Sequence, residues 1–278
     1  MATRSANLGR TAMIHGERSG KDRPDAAANP GRPTVRPITF ADVRDAFGAG
    51  MADWREHPLS GMAFGLVYAV AGAVILAVLR ATDKDYLIVP ALSAFLLIGP
   101  GVALGLYEIS RRTETGEAIP LPAVVGAGFR HGGGQIAIFG CVQVIISVFW
   151  IASADFLFDG MFGHPGWSLG ELLARVATTA EGARYAVIGT AVGAAFAGAT
   201  FLVGVVGGPM LLDRDVDVVT AWTTSVRAVL KSPAAFLAYG ALVTVIVAAG
   251  MAAFLVGLLV ALPVIGFTTW HLYRRAVG

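Results

Sequence analysis

Pro263-Val264-Ile265-Gly266-Phe267-Thr268-Thr269-Trp270-His271-Leu272-Tyr273-Arg274-Arg275 closes the last long apolar segment of this 278-residue chain. An earlier apolar segment closes on Pro100-Gly101-Val102-Ala103-Leu104-Gly105-Leu106-Tyr107-Glu108-Ile109-Ser110-Arg111-Arg112, 163 residues before it. Each stretch sets a proline eight residues before a lone ionisable side chain, Glu108 or His271, with an Arg pair three residues further on. Basic pairs mark the end of a span that stays on its own side of the bilayer. The recurrence therefore predicts an internally repeated membrane protein in which both segments emerge on the same face.

Composition points the same way. The chain is 55% hydrophobic and 14% charged, whereas soluble domains carry about 25% charge. The formal charge of +2 reports on topology and not on nucleic-acid binding. The single cysteine, Cys141, lies in an apolar run, which excludes a disulfide framework and a thiolate metal site. Residues 1–36 are polar and rich in Gly, Pro and Arg. They bury too little apolar surface to offset chain entropy, so they predict a disordered cytoplasmic tail ahead of a six-helix membrane domain over 37–278.

A spanning helix needs roughly 20 apolar residues. Six segments qualify: Gly61–Leu79, Tyr86–Tyr107, Gln135–Phe158, Tyr185–Leu212, Ala234–Ala249 and Met251–Tyr273. The fourth is long enough to tilt, or to bend near Gly207-Gly208-Pro209, and Gly250 is the expected turn between the last two. With six spans both termini share a side. Nine Lys/Arg precede the first span, and Arg111, Arg112, Arg130, Arg214, Arg227, Lys231, Arg274 and Arg275 fall on that same side. Only Arg80, Lys84, Arg175 and Arg184 fall opposite, which places both termini in the cytoplasm.

The repeat extends to the segments ahead of the spans. Ala46-Phe47 to His57-Pro58 and Ala221-Trp222 to Ser232-Pro233 share length and pattern. Phe40, Val43, Phe47, Met51 and Trp54 form one helical apolar stripe, and Val219, Trp222, Val226 and Val229 form another. Asp42, Arg44, Asp53 and Arg55 take the other face of the first, and Thr39 with Asp42 reads as a capping box that starts it. Residues 121–134 are a weaker copy. The fold class is thus an all-α membrane protein of six transmembrane helices, arranged as three units of one amphipathic interfacial helix plus two spans. The stripes would pack against the bundle or offer a docking surface for a partner or lipid. A further amphipathic helix, capped by Ser168 and Glu171 with Leu169, Leu172, Leu173 and Val176 on its apolar face, is expected on the opposite face.

Candidate chemistry is sparse. No span carries a midplane histidine, so haem or copper ligation is not expected, and no nucleophile elbow, Walker loop or HExxH occurs. No catalytic residue, cofactor or metal ligand is assigned. Glu108 with Arg111 and Arg112, and His271 with Arg274 and Arg275, read as anchors at helix ends. Pro209 followed by Asp213, Arg214, Asp215 and Asp217 reads as a salt-bridged corner, with Asp217 capping the next helix, or as a cation or partner site. Gln143 and Ser147 are spaced to hydrogen-bond to a neighbouring helix. Gly189, Gly193, Ala197, Gly204 and Gly208 form a small-residue stripe that predicts a crowded central fourth span, or self-association.

The 209–217 corner, Thr224-Ser225-Val226-Arg227-Ala228-Val229-Leu230 ahead of Pro233, and the Thr269-Trp270-His271-Leu272-Tyr273-Arg274 ending resemble an uncharacterised bacterial family of integral membrane proteins. Its members are often labelled cytochrome c oxidase subunit I. The resemblance covers about residues 35–275 and carries no known catalytic residue. It implies a bacterial inner-membrane protein associated with respiratory complexes. Taken with the residues, the expectation is a non-enzymatic accessory, assembly or scaffold component whose partners are the lipid bilayer and another membrane protein. A small transporter or channel built on three parallel two-helix units is the alternative.

Overall fold

The computed structural model describes residues 33–130, 133–163, 166–253 and 256–278. The tail expected to be disordered lies outside the described residues up to Arg32. Its last residues, by contrast, are ordered by backbone pairing. Val35 bridges Val277, Arg36 N donates to Ala276 O at 2.8 Å, and Gly278 N donates to Thr34 O at 3.0 Å. The two ends of the membrane domain are therefore tied together.

Every other element is helical. Helix α1 (Phe40–Glu56) begins at the predicted capping box, where Thr39 and Asp42 each satisfy the other's backbone N–H. Pro58 starts α2 (Pro58–Ala81), its missing N–H falling where a helix has no acceptor to offer. The second apolar segment is not one helix. It divides into α3 (Ile88–Leu97), α4 (Gly99–Val102) and α5 (Leu104–Thr115). The Gly99-Pro100-Gly101 run explains the break, because proline removes a helical donor and glycine helix propensity is poor. Short α6 (Leu121–Val125) and α7 (Ala127–Arg130), separated at Gly126, replace the third interfacial helix.

The long α8 (Gly133–Phe162) leads to α9 (Leu169–Thr178), which starts at the Ser168–Glu171 capping box. Next come α10 (Ala180–Gly204) and α11 (Gly207–Asp213). The bend in the fourth segment thus falls at Val205–Val206, ahead of the expected Gly207-Gly208-Pro209. Asp217 caps α12 (Val218–Lys231) through Thr220 N at 2.9 Å. Helix α13 (Pro233–Ala252) runs through Gly250, so that glycine is not the turn. A Cβ on Gly257 would lie 2.7 Å from Gly250 Cα, so Gly250 instead lets the start of α14 (Leu258–Ala276) approach.

Among the described residues, four helical stretches are long and apolar enough to cross a membrane: Pro58–Ala81, Gly134–Phe162, Ala180–Asp213 and Pro233–Ala252. The broken second segment and the Arg-ended α14 fall short of that measure. Between α8 and α3 the predicted polar seam forms. Gln143 Nε2 donates to Leu97 O at 3.2 Å, Ser147 Oγ to Ala94 O at 3.0 Å, and Trp150 Nε1 to Pro90 O at 3.0 Å. The fourth span is not the crowded centre that its small residues suggested. Gly189 and Gly193 are half-buried and Ala197 is exposed, with Gly193 holding the Trp150 ring and no second backbone. Only Gly204 and Gly208, near the bend, are buried.

The interfacial helices also turn differently from expectation. The buried line of α1 is Val43, Ala46, Gly50 and Asp53, and that of α12 includes Val218, Ala221, Ser225 and Ala228. These positions correspond when the two helices are aligned on Ala46-Phe47 and Ala221-Trp222. The bulkier Phe47, Met51, Trp222 and Val226 sit at the flanks, half-exposed. Small residues occupy the inner line because the helices dock by close backbone approach. A Cβ on Gly50 would fall 2.5 Å from Thr268 N, and Ser225 Oγ caps Val206 N at 3.2 Å.

Candidate functional site

The close approach of α1 to α14 brings Asp53 opposite His271, one turn beyond the Gly50–Thr268 contact. Asp53 is 7% exposed, contrary to its expected place on the solvent face. Ser110 Oγ of α5 donates to its Oδ2, and His271 Nε2 lies 2.9 Å from the same oxygen. His271 Nδ1 is 3.4 Å from Glu114 Oε1. Only an imidazolium donates from both ring nitrogens, so the cation is the form that satisfies both carboxylates. His271 therefore pairs with acidic groups from two other helices, and not with its own Arg274 and Arg275.

The chain of contacts continues. Arg274 Nε is 3.2 Å from Glu114 Oε2, and Arg274 Nη1 is 3.5 Å from Asp213 Oδ2. Tyr273 OH donates to Asp213 at 2.6 Å, and Arg214 Nε donates to Tyr273 OH at 3.1 Å. Arg214 Nη1 reaches the Gly278 carbonyl at 3.2 Å. Asp53, Ser110, Glu114, Asp213, Arg214, His271 and Arg274 thus bind α1, α5, α11 and α14 into one polar plate at the end where Val35 pairs with Val277. Asp215 is exposed and stands outside it, and Arg275 instead faces Asp42 at 3.9 Å. Glu114 and Asp53 had no local signal, because their partners are 157 and 218 residues away along the chain.

A second cluster matches its sequence spacing. Glu108, 2% exposed, takes Arg111 Nε at 2.9 Å and Arg112 Nε at 2.6 Å. Both arginines also face Glu117, and Arg112 Nη1 donates to Ala118 O at 2.6 Å. Burial opposes ionisation of Glu108, but hydrogen bonds from Arg111 and Arg112 outweigh it and hold its pKa below the usual carboxylate range. Glu114 is also pulled down. Burial again opposes, and His271, the nearby Trp270 indole and Arg274 prevail.

Depressed pKa values stabilise the fold above the unfolded carboxylate pKa, and that stabilisation is lost as pH falls through the folded values. The unfolding temperature in detergent should therefore drop as pH falls below about 4. A Glu108→Gln, Glu114→Gln double variant should start lower and lose less over the same interval. An equal loss in the variant would assign the acid sensitivity elsewhere.

Between these clusters lies a half-open cavity of about 140 Å³. Trp270 and Leu212, both buried, belong to its lining together with Arg111, Glu114, Asp213 and Arg274. Trp270 Nε1 approaches Glu114 but completes no hydrogen bond. Among the described residues no group of three or more His, Cys, Asp or Glu could hold a metal ion.

Long apolar helices, a polar seam between two of them and a charged plate at one end define an integral, multi-pass α-helical membrane protein. Residues 88–213 match the model of a family described as "Predicted integral membrane protein (DUF2189)", an uncharacterised family to which this stretch of the chain is similar. The matched stretch runs from α3 to α11. It includes Glu108, Glu114 and Asp213 and leaves out Asp53, His271 and Arg274. No curated protein and no solved structure matches the chain.

Proposed function

We propose that the protein is a six-span inner-membrane scaffold or assembly component with both termini in the cytoplasm, built from three units in a closed ring. The packing order supports the ring. Helices α6 and α7 lie on α5, α12 lies on α10 and α11, and α1 lies on α14. Each interfacial helix thus rests on the second apolar segment of the preceding unit, with α1 closing the circle. In this reading α3–α5 and α14 complete the six crossings.

The observation that carries the scaffold role is the division of labour at the terminus-side face. Its buried charges are engaged with one another, fixing helix ends, while large apolar side chains stand outward from α6, α7 and α12. Leu121, Val125 and Phe129, four residues apart, are 72%, 67% and 86% exposed, and Val219 and Leu230 are 58% and 69% exposed. Such a patch suits a membrane-protein partner at the headgroup level, and the family resemblance points to a respiratory complex as its class. Extraction in mild detergent and affinity purification should recover a stoichiometric membrane partner, lost on Phe129→Glu or Leu230→Glu. Repeated recovery of the wild-type chain alone would overturn the reading.

One observation favours transport instead: the second apolar segment is interrupted at Ile98 and Ala103. Discontinuous helices at membrane depth are a device of transport folds. Substrate-dependent flux in proteoliposomes, abolished by a change at Gly99, would establish that alternative.

A further inference from the structure

We propose that the cavity between α5, α11 and α14 binds a small zwitterion, one molecule carrying both an oxyanion and an ammonium group. The proposal stands independently of the scaffold reading. The cavity sits where the C-terminal ends of three helices from three different units converge. Those ends present partial negative charge, which Arg111 and Arg274 offset.

The donors available to a ligand are specific. Trp270 is fully buried, and its indole Nε1 approaches Glu114 but completes no hydrogen bond among the described residues. An unmade bond of this kind is costly in a closed interior, which argues for an acceptor arriving from the cavity. Arg274 is half-exposed and directs Nε and Nη1 at carboxylates, while its Nη2 makes no hydrogen bond among the described residues. Acceptors stand close by. Asp213 receives all its contacts on Oδ2, which leaves Oδ1 for an ammonium, and Glu114 is on the same wall. Two cationic and two anionic side chains line the cavity, so the walls sum to no net charge. A lone anion or a lone cation would meet as much repulsion as attraction. A molecule bearing both charges places its carboxylate or phosphate on Arg274, Arg111 and the indole, and its ammonium on Asp213.

A free amino acid and an aminophosphate lipid headgroup share this chemistry. The test uses the full-length protein in nanodiscs of phosphatidylglycerol, whose headgroup carries no ammonium, with binding read by titration calorimetry. Alanine and glycerophosphoethanolamine are the zwitterionic probes; acetate, inorganic phosphate and ethylamine carry one charge each. At least one zwitterion should bind, with every single-charge probe weaker by about tenfold or more. Binding of alanine assigns a soluble ligand, and binding of glycerophosphoethanolamine alone assigns a lipid headgroup. Arg274→Gln, with its folded state checked by size exclusion and by an unfolding temperature above that of the titration, should lose about tenfold in affinity. Failure of both zwitterions, parity with a single-charge probe, or unchanged affinity in Arg274→Gln would overturn the proposal. None of these outcomes depends on whether a partner protein copurifies.

Discussion

Gly65→Val should abolish recovery of folded protein. A Cβ at position 65 would lie 2.5 Å from Leu259 Cα and 2.9 Å from Leu258 O. Both are backbone atoms of α14 or its start, and a backbone cannot swing aside as a side chain can. Ordinary overpacking of a core costs about 1–3 kcal/mol. Here the added methyl groups force two helices apart, and every contact of α2 with α14 is strained along with them. The matched control is Gly198→Val in α10, where an added Cβ meets nothing within 4 Å. Size-exclusion profiles and unfolding temperatures in detergent should separate the two variants cleanly. A well-behaved Gly65→Val protein would refute the α2–α14 packing.

Asp53→Ala carries the second large effect. It strands the Ser110 hydroxyl in a buried site and leaves His271 only the Glu114 carboxylate at 3.4 Å. Removing one member of a buried charged pair costs about 3–5 kcal/mol, because the other charge is left without compensation. Replacing both members with apolar groups costs much less. The unfolding temperature should therefore fall steeply in Asp53→Ala and recover in large part in Asp53→Leu with His271→Leu. Arg44→Ala, which breaks an exposed pair with Asp45 at 3.2 Å, should change little. Should Asp53→Ala prove as mild as Arg44→Ala, the polar plate would not hold the helix ends.

The parts of this architecture legible in the sequence are those set by neighbours along the chain. Capping at Thr39, Ser168 and Asp217, the Glu108–Arg111–Arg112 cluster, and the spacing of Gln143 and Ser147 all depend on residues three or four apart. Apolar length alone revealed the long spans. What periodicity misjudged was which face of α1 and α12 is buried. Bulk marks hydrophobicity, but docking by close approach selects small residues, so Ala46, Gly50, Ala221 and Ser225 face inward. Asp53 follows them inward because it lies on the same line, and its distant partners His271 and Ser110 make that tolerable. The small-residue stripe of α10 misled for the opposite reason: Gly193 makes room for Trp150, a side chain from another helix, and no local pattern encodes that.

The number of crossings decides whether the ring of three units is correct. Single cysteines at Ala41, Lys84, Ala118 and Ala180, in a Cys141→Ala background, can be tested with a membrane-impermeant maleimide on sealed right-side-out and inverted vesicles. All four positions are exposed. Six spans predict that Ala41 and Ala118 label together from the cytoplasmic side, with Lys84 and Ala180 labelling only from the other. If Ala118 labels with Lys84, the broken second segment does not cross the membrane and the three-unit ring fails.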